Sequence, residues 1–438
     1  MKTLEQHVAF ALDYAQTLNT TAAAVSVTQG EGLGVTVRKS KPEAVEYYQD
    51  QSFSVTVYAG QAKGSASSTD LSEASMRKAV KAAADIARFT EEDPCAGLPL
   101  AADMATEWPE LDVYHPWELS VDEALAIAEN CEQAGLTNDP RISNSEGASL
   151  SIYQGQRALG NSHGFLHSFA SSKHHVSCTL LAEQNGQMER DSSYTVARNP
   201  HALWSPEQVG VDAAERTIKR LGACKLPTQK VPVTFAAEEA AGIFSSFLSA
   251  INGENLYRQA SFLLNDLGNT IFPTWLMMRE DPFVSQGLAS SPYDAEGVRV
   301  QARHLVENGV LQDFILNSYT ARQLKRQNTG NAGGPHNISI TPSLKGGLSA
   351  LLAEMDKGLL VTDVMGQGVN LVTGDYSRGA SGFWVENGQI QYPVHEITIA
   401  GNLRDMYQQI QAVGGDVDQR SSILTGSVLI EAMMVGGE

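Results

Sequence analysis

Two rhythms of apolar and polar positions alternate along this chain. Between Thr3 and Leu18, the residues Leu4, Val8, Leu12 and Ala15 fall on one stripe, which predicts a helix. The spacing then shortens to alternation. Strands are predicted at 23–28, 34–38, 44–49, 52–58 and 61–67; Phe53, Val55 and Val57 alternate with Ser54, Thr56 and Tyr58. Asp70 with Glu73 reads as a capping box opening a helix over 71–89. A helix, an antiparallel meander and a second helix make an α+β layer.

A proline-bearing connector, 90–108, separates this from a second set of elements. Ser120 with Glu123 is another capping box, before a helix over 121–134. Strands are predicted at 149–153, 156–159, 165–171, 176–182 and 188–196, with turns at Gly155, Gly164 and Asn185-Gly186. Ser205 before Pro206 starts a helix that runs to about Leu221. The stretch 226–230 is the expected domain boundary. Beyond it, glycine is frequent. The reading there is a strand or short helix at 260–267, helices at 318–327 and 347–357, and strands at 359–364, 383–386, 389–392 and 396–400. Asn387-Gly388 is a tight turn, 403–413 a last helix and 427–434 a last strand. The expected fold class is α+β. An N-terminal region over 1–226 (subregions 1–110 and 111–226) carries an antiparallel sheet with helices. A glycine-rich, mostly β domain covers 227–438.

Composition narrows the partners. With 31 basic and 50 acidic residues, the formal charge is −19, which weighs against nucleic acid and anionic membranes. No apolar run of 18 residues exists and no signal-like segment opens the chain, so a cytoplasmic protein is expected. Cys95, Cys131, Cys178 and Cys224 show no CxxC spacing and are read as reduced thiols.

The candidate chemistry centres on 231–250. An apolar strand, 231–235, runs into a helix of small residues with Glu238 and Glu239 in its first turn. Acidic residues there suit the helix dipole; the same junction suits a metal or nucleophile site. His395-Glu396 is followed by no second histidine at zincin spacing, and its β-branched neighbours make it a strand. His304, His336 and His395 are isolated in sequence, and His163, His174 and His175 are read as surface or hairpin residues. The loop 328–336 has no Gly-Lys-Ser/Thr and so is no Walker A loop. Gly379-Ala380-Ser381-Gly382 lacks the spacing of a serine-hydrolase elbow.

These stretches resemble the TldD/PmbA family of bacterial proteins. The likeness runs through KGSASSTDLS (63–72), DPCAG (93–97), GNSHG (160–164), MERD (188–191) and GLAS (287–290). It continues in MGQGV…TGDYSRGA (365–380) and PVHEITIAGN (393–402). In the TldD-type members, the helix after 235 carries HExxxH, two zinc-binding histidines around a general-base glutamate. Here the six positions read Glu238, Glu239, Ala240, Ala241, Gly242 and Ile243. The glutamate is kept at Glu239, and both histidine positions are lost, to Glu238 and Ile243. Isoleucine cannot ligate zinc. The family's cysteine ligand has no counterpart after Cys224, and Asn331 stands where a histidine is often found.

The resemblance therefore implies the PmbA/TldE branch, a subunit without metal or catalytic residues of its own. It pairs with a TldD-type catalytic chain that carries the zinc and acts on unfolded or small peptides. A microcin precursor and a plasmid antitoxin are substrates of such pairs. Gly330, Gly333, His336, Gly374, Asp375 and Arg378 are expected to line the peptide cleft, and a homodimer is expected when the chain is alone. Two other readings stand beside this one: a peptidase with its own metal site, and a regulatory adaptor of gyrase-modulator type.

Overall fold

The computed structural model describes residues 3–437. The first half is an αβββα unit made twice. The first copy runs α1 (Leu4–Gln16), β1 (Ala22–Arg38), β2 (Lys41–Ala59), β3 (Ala62–Ser68) and α2 (Glu73–Phe89). The second runs α3 (Val121–Leu136), β4 (Ile142–Asn161), β5 (Leu166–Gln184), β6 (Gln187–Ala197) and α4 (Pro206–Lys219). Antiparallel pairing of β1 with β4 fuses both copies into one sheet of order β3-β2-β1-β4-β5-β6. All four helices cover one face. Leu4, Val8, Met76 and Val80 pack on Val25, Val27, Phe53, Val55 and Val57. Ala124, Ala128, Val209 and Ala213 pack on Leu33, Val35, Leu150, Ile152 and Val176. The other face presents small polar side chains that bond across strands, Thr36 to Ser149 at 2.9 Å and Thr56 to Ser65 at 2.9 Å.

Strands predicted in pairs are single. β1 runs unbroken through Gly30 and Gly32 because the rings of Tyr153 and Tyr48 lie across them. A Cβ on either glycine would come within 2.6 Å and 2.3 Å of those rings. Likewise Gly155 is an interior position of β4, not a turn. Ser72, not Asp70, caps α2 by accepting from the Ser75 N–H. Asp70 instead braces the cap, accepting from the Ser72 N–H and both hydroxyls. The capping box at Ser120 forms as predicted, as does the Asn185-Gly186 turn, with both residues at positive φ.

The second half runs β7 (Gln229–Phe235), α5 (Ala237–Ala250), α6 (Gly253–Tyr257), β8 (Met278–Asp281), β9 (Arg303–Glu307) and β10 (Val310–Leu311). It continues through α7 (Ser318–Gln323), β11 (Asn337–Ile340), α8 (Leu348–Met355), β12 (Gly358–Met365), β13 (Asp375–Glu386) and β14 (Gln389–Asn402). It ends with α9 (Leu403–Gln408), β15 (Ile410–Val413), β16 (Ile423–Leu424) and β17 (Val428–Gly436). One sheet has the order β14-β13-β12-β7-β17-β15, and an added β14–β17 pairing closes five of its strands into a ring. The other has the order β10-β9-β8-β11-β16. Phe235, Phe244, Phe247, Phe272 and Tyr407 fill the core between them.

Two expectations fail here. The stretch 260–267 is a series of turns, held by Ser261 Oγ on the Ala250 carbonyl at 2.6 Å and by Arg404 on the Phe262 carbonyl at 2.6 Å. The predicted helix over 403–413 stops at Gln408. Residues 410–413 pair with β17, where β-branched Ile410 and Val413 are buried. No helix among the described residues is long and apolar enough to cross a membrane.

Candidate functional site

β7 and β12 run parallel as far as Phe235 opposite Val361, and the Ala236 N–H extends the ladder to the Val361 carbonyl at 2.9 Å. α5 starts there, so its first turn sets Glu238 and Glu239 at the end of these strands. No side chain caps this helix, and the two acids complement its positive end.

Glu238 is clasped by two arginines. Arg216 of α4 donates to both carboxylate oxygens, at 2.8, 3.0 and 3.0 Å, and Arg420 donates to Oε1. Arg420 is itself fixed by Asp418 at 2.9 Å and by the Tyr194 carbonyl at 3.0 Å. Its guanidinium lies 4.8 Å from the ring centres of both Tyr194 and Trp204. Burial opposes charge on Glu238, but the two guanidiniums outweigh it and hold the carboxyl below the usual carboxylate range.

Glu239 is the opposite case. Burial, then the charges of Asp363 and Glu238, push its carboxyl up to about 7, against the pull of Arg378 and Arg216. Arg378 is half-buried on β13, and its Nε has no hydrogen-bond partner among the described residues. Asp363 is held by Arg220 at 3.1 Å, which also reaches Asp191 at 3.3 Å.

Ile243 is 1% exposed in the core, and its carbonyl accepts from the Tyr407 hydroxyl at 3.2 Å. A cavity of about 510 Å³ opens beside Glu238. Trp204, Leu348, Phe383 and Ile390 form its apolar wall, and Arg216 and Arg420 its charged one.

The three motif positions do not fit a metal. Both oxygens of Glu238 are taken by guanidiniums, and Ile243 offers only hydrocarbon. The scattered histidines sit in separate places. His336 Nδ1 is 3.1 Å from Glu280, His395 Nδ1 is 3.1 Å from Glu189, and His304 lies in β9. No group of three His, Cys, Asp or Glu side chains able to hold a metal occurs among the described residues.

The loop 328–336 is organised by a buried network. Asn331 donates to Glu280 Oε1 at 2.6 Å and accepts from Arg303 and Thr329 at 2.7 Å each. Arg303 also meets Glu280 at 2.9 Å. Burial disfavours the Glu280 charge, but His336 and Arg303 hold its carboxyl down to about 2. Gly330 takes φ 71° with the Arg299 carbonyl where a Cβ would be, at 2.6 Å.

Of the six predicted cleft positions, two line a described cavity together. Gly333 and His336 line a space of about 410 Å³ against Thr28, Tyr153 and Arg157 of the N-terminal sheet. Gly330, Gly374, Asp375 and Arg378 do not line it. Gly374 has φ 81° at the start of β13, and Asp375 beside it accepts from Thr373 at 2.6 Å. His174, read from sequence as a surface or hairpin residue, is fully buried and bonds the His115 carbonyl at 2.8 Å. Nothing local in the sequence marks Arg216, Arg420, Asp363, Glu280 or Arg303.

Three profiles of one family cover most of the chain. PmbA/TldA metallopeptidase domain 1 matches residues 23–87, the central domain 114–221 and the C-terminal domain 228–437. The chain belongs to the PmbA/TldA metallopeptidase family. Metalloprotease PmbA of Escherichia coli O157:H7 is 48% identical over 439 residues, covering 100% of this chain and 97% of that one. A Metalloprotease TldD homolog of Buchnera aphidicola is 22% identical over 394 residues, 85% of this chain and 80% of that one. Among solved structures, a Bacteroides thetaiotaomicron protein with a DNA-gyrase-modulator label superposes with TM-score 0.93 at 24% identity, covering 99% of both chains. TldE from Thermococcus kodakarensis does so with TM-score 0.86 at 20% identity, covering 98% of this chain and 100% of that one. The fold of these two structures is shared along 98–99% of the chain.

Proposed function

We propose that this chain is the non-metal-binding subunit of a TldD/TldE-type protease that works on unfolded peptides in the cytoplasm. The observation that carries the reading is the arginine clasp on Glu238. A carboxylate already bonded to two guanidiniums is a strut between α4 and the segment around residue 420, not a ligand. Buried Ile243 closes the other motif position. Zinc and the water it activates would then belong to a TldD-type partner, and the existence of separate PmbA, TldE and TldD relatives on one fold supports two kinds of chain. This subunit would supply a wall of the peptide chamber.

The test is zinc stoichiometry by elemental analysis on the untagged chain, followed by peptide cleavage with and without a TldD-type chain. Substoichiometric zinc, with cleavage only in the mixture, is the expected result. One zinc per chain, or full activity of the partner alone, would overturn the proposal. The rival is hydrolysis by this chain by itself, and it draws on Glu239, an unengaged carboxyl near neutrality at the family's base position. Chelator-sensitive cleavage by the pure chain would favour that rival.

A further inference from the structure

β2 and β5 hold equivalent places in the two αβββα copies, and each is 19 residues long. Each is flanked on its outer side by a shorter strand over its second half only. β3 meets β2 from Phe53 onward, and β6 meets β5 from His174 onward. The two remaining edges differ. At Ser172 of β5, another part of the chain occupies the edge: the Ser172 N–H donates to the Val113 carbonyl at 2.9 Å, and Arg198 donates to the Ser172 carbonyl at 3.0 Å. Along 41–52 of β2, no strand pairs with the outer edge among the described residues. That leaves about 40 Å of backbone at ~3.4 Å per residue with free donors and acceptors.

The side chains of this edge sort by face. Val45 and Tyr47 pair with Val35 and Leu33, so they lie on the apolar face, but the helix layer that buries Phe53, Val55 and Val57 farther along β2 leaves them uncovered. They are 42% and 70% exposed. Glu46 and Asp50 pair with Gly34 and Gly30 and lie on the polar face. A groove of about 560 Å³ runs beside Tyr47, with Glu31, Trp117 and Glu118 in its walls. Charges guard many sheet edges against pairing, but a guard does not require exposed apolar residues at alternate positions. A second copy paired antiparallel about Glu46 would set that carboxylate against its own counterpart, which is unfavourable.

We propose that residues 41–52 of β2 form a strand-addition site for an extended polypeptide segment alternating basic and apolar residues. The basic residues face Glu46 and Asp50, and the apolar ones face Val45 and Tyr47. The proposal deepens the peptide-handling reading above and rests on it only for the occupant being a substrate. Hydrogen exchange on this chain alone, without a TldD-type chain, tests it independently of subunit pairing. The probe is an end-capped peptide of alternating lysine and valine, with a glutamate-valine peptide as control. Slowed exchange within 41–52 is expected with the lysine peptide only, and E46K/D50K should weaken its binding about tenfold. Protection confined to other segments, or equal binding of both peptides, would overturn the proposal. So would protection of 41–52 that rises with protein concentration alone, which would assign the edge to a second copy.

Discussion

Arg420 donates to the carboxylate of Glu238 across 182 positions of sequence. With Arg216 on the other side, this bond ties the C-terminal segment, the start of α5 and α4 of the N-terminal half to one point. The glutamate holds three parts of the fold together at the start of α5.

Removing that carboxylate leaves two guanidiniums facing each other. Their side chains are 24% and 11% exposed, so little water reaches them. Glu238→Ala is expected to lower stability by about 3–5 kcal/mol, the range for breaking a buried ion pair from one side. Urea unfolding measures it. A loss within error would show that the clasp is only electrostatic decoration.

Glu239 makes stability depend on pH in the opposite sense to a paired acid. Its folded value, about 7, lies above the ordinary 4.5. Below the lower value both states are protonated and nothing is lost. As pH rises between the two, the unfolded chain ionises first, so folding weakens by about 3 kcal/mol in total and then levels off. Glu239→Gln should match the parent near pH 4 and exceed its stability at pH 8. Thermal melts of both proteins at the two pH values give the difference, and parallel curves would place the carboxyl at an ordinary value.

Two glycines of one motif should respond differently to alanine. A Cβ on Gly382 would stand 1.8 Å from the Leu360 carbonyl, inside the β12–β13 pair. At Gly379 the nearest atom is 3.6 Å away. Gly382→Ala is expected to cost about 2–3 kcal/mol or more and Gly379→Ala less than about 1 kcal/mol, as judged by denaturant midpoints. Equal effects would mean the strands part freely at this point.

Histidines placed at both 238 and 243 should not create a metal site. E238H/I243H removes the counter-charge of two arginines and puts an imidazole into the core around Phe244 and Phe247. The folded fraction is expected to carry substoichiometric zinc by elemental analysis. Stoichiometric zinc would show that two histidines were all the site lacked.

Several features of this protein were settled by sequence alone, because they depend on residues within a few positions of each other. The stripe of Leu4 and Val8, the alternation of Phe53, Val55 and Val57, the Ser120–Glu123 box and the Asn185-Gly186 turn are of this kind. What needed the folded chain was everything set by distant partners. The strands predicted at 23–28 and 34–38 stay separate until the rings of Tyr153 and Tyr48 are seen lying across Gly30 and Gly32. Residues 410–413 continue a helical pattern until β17 offers them a ladder. Glu238 and Glu239 are adjacent and chemically identical in sequence. Folding brings Arg216 and Arg420 to one, and burial with Asp363 to the other, so one carboxyl is held charged and the other is pushed toward neutrality. Charge and solvation are properties of the surroundings, and here those surroundings are assembled from segments up to 182 residues away.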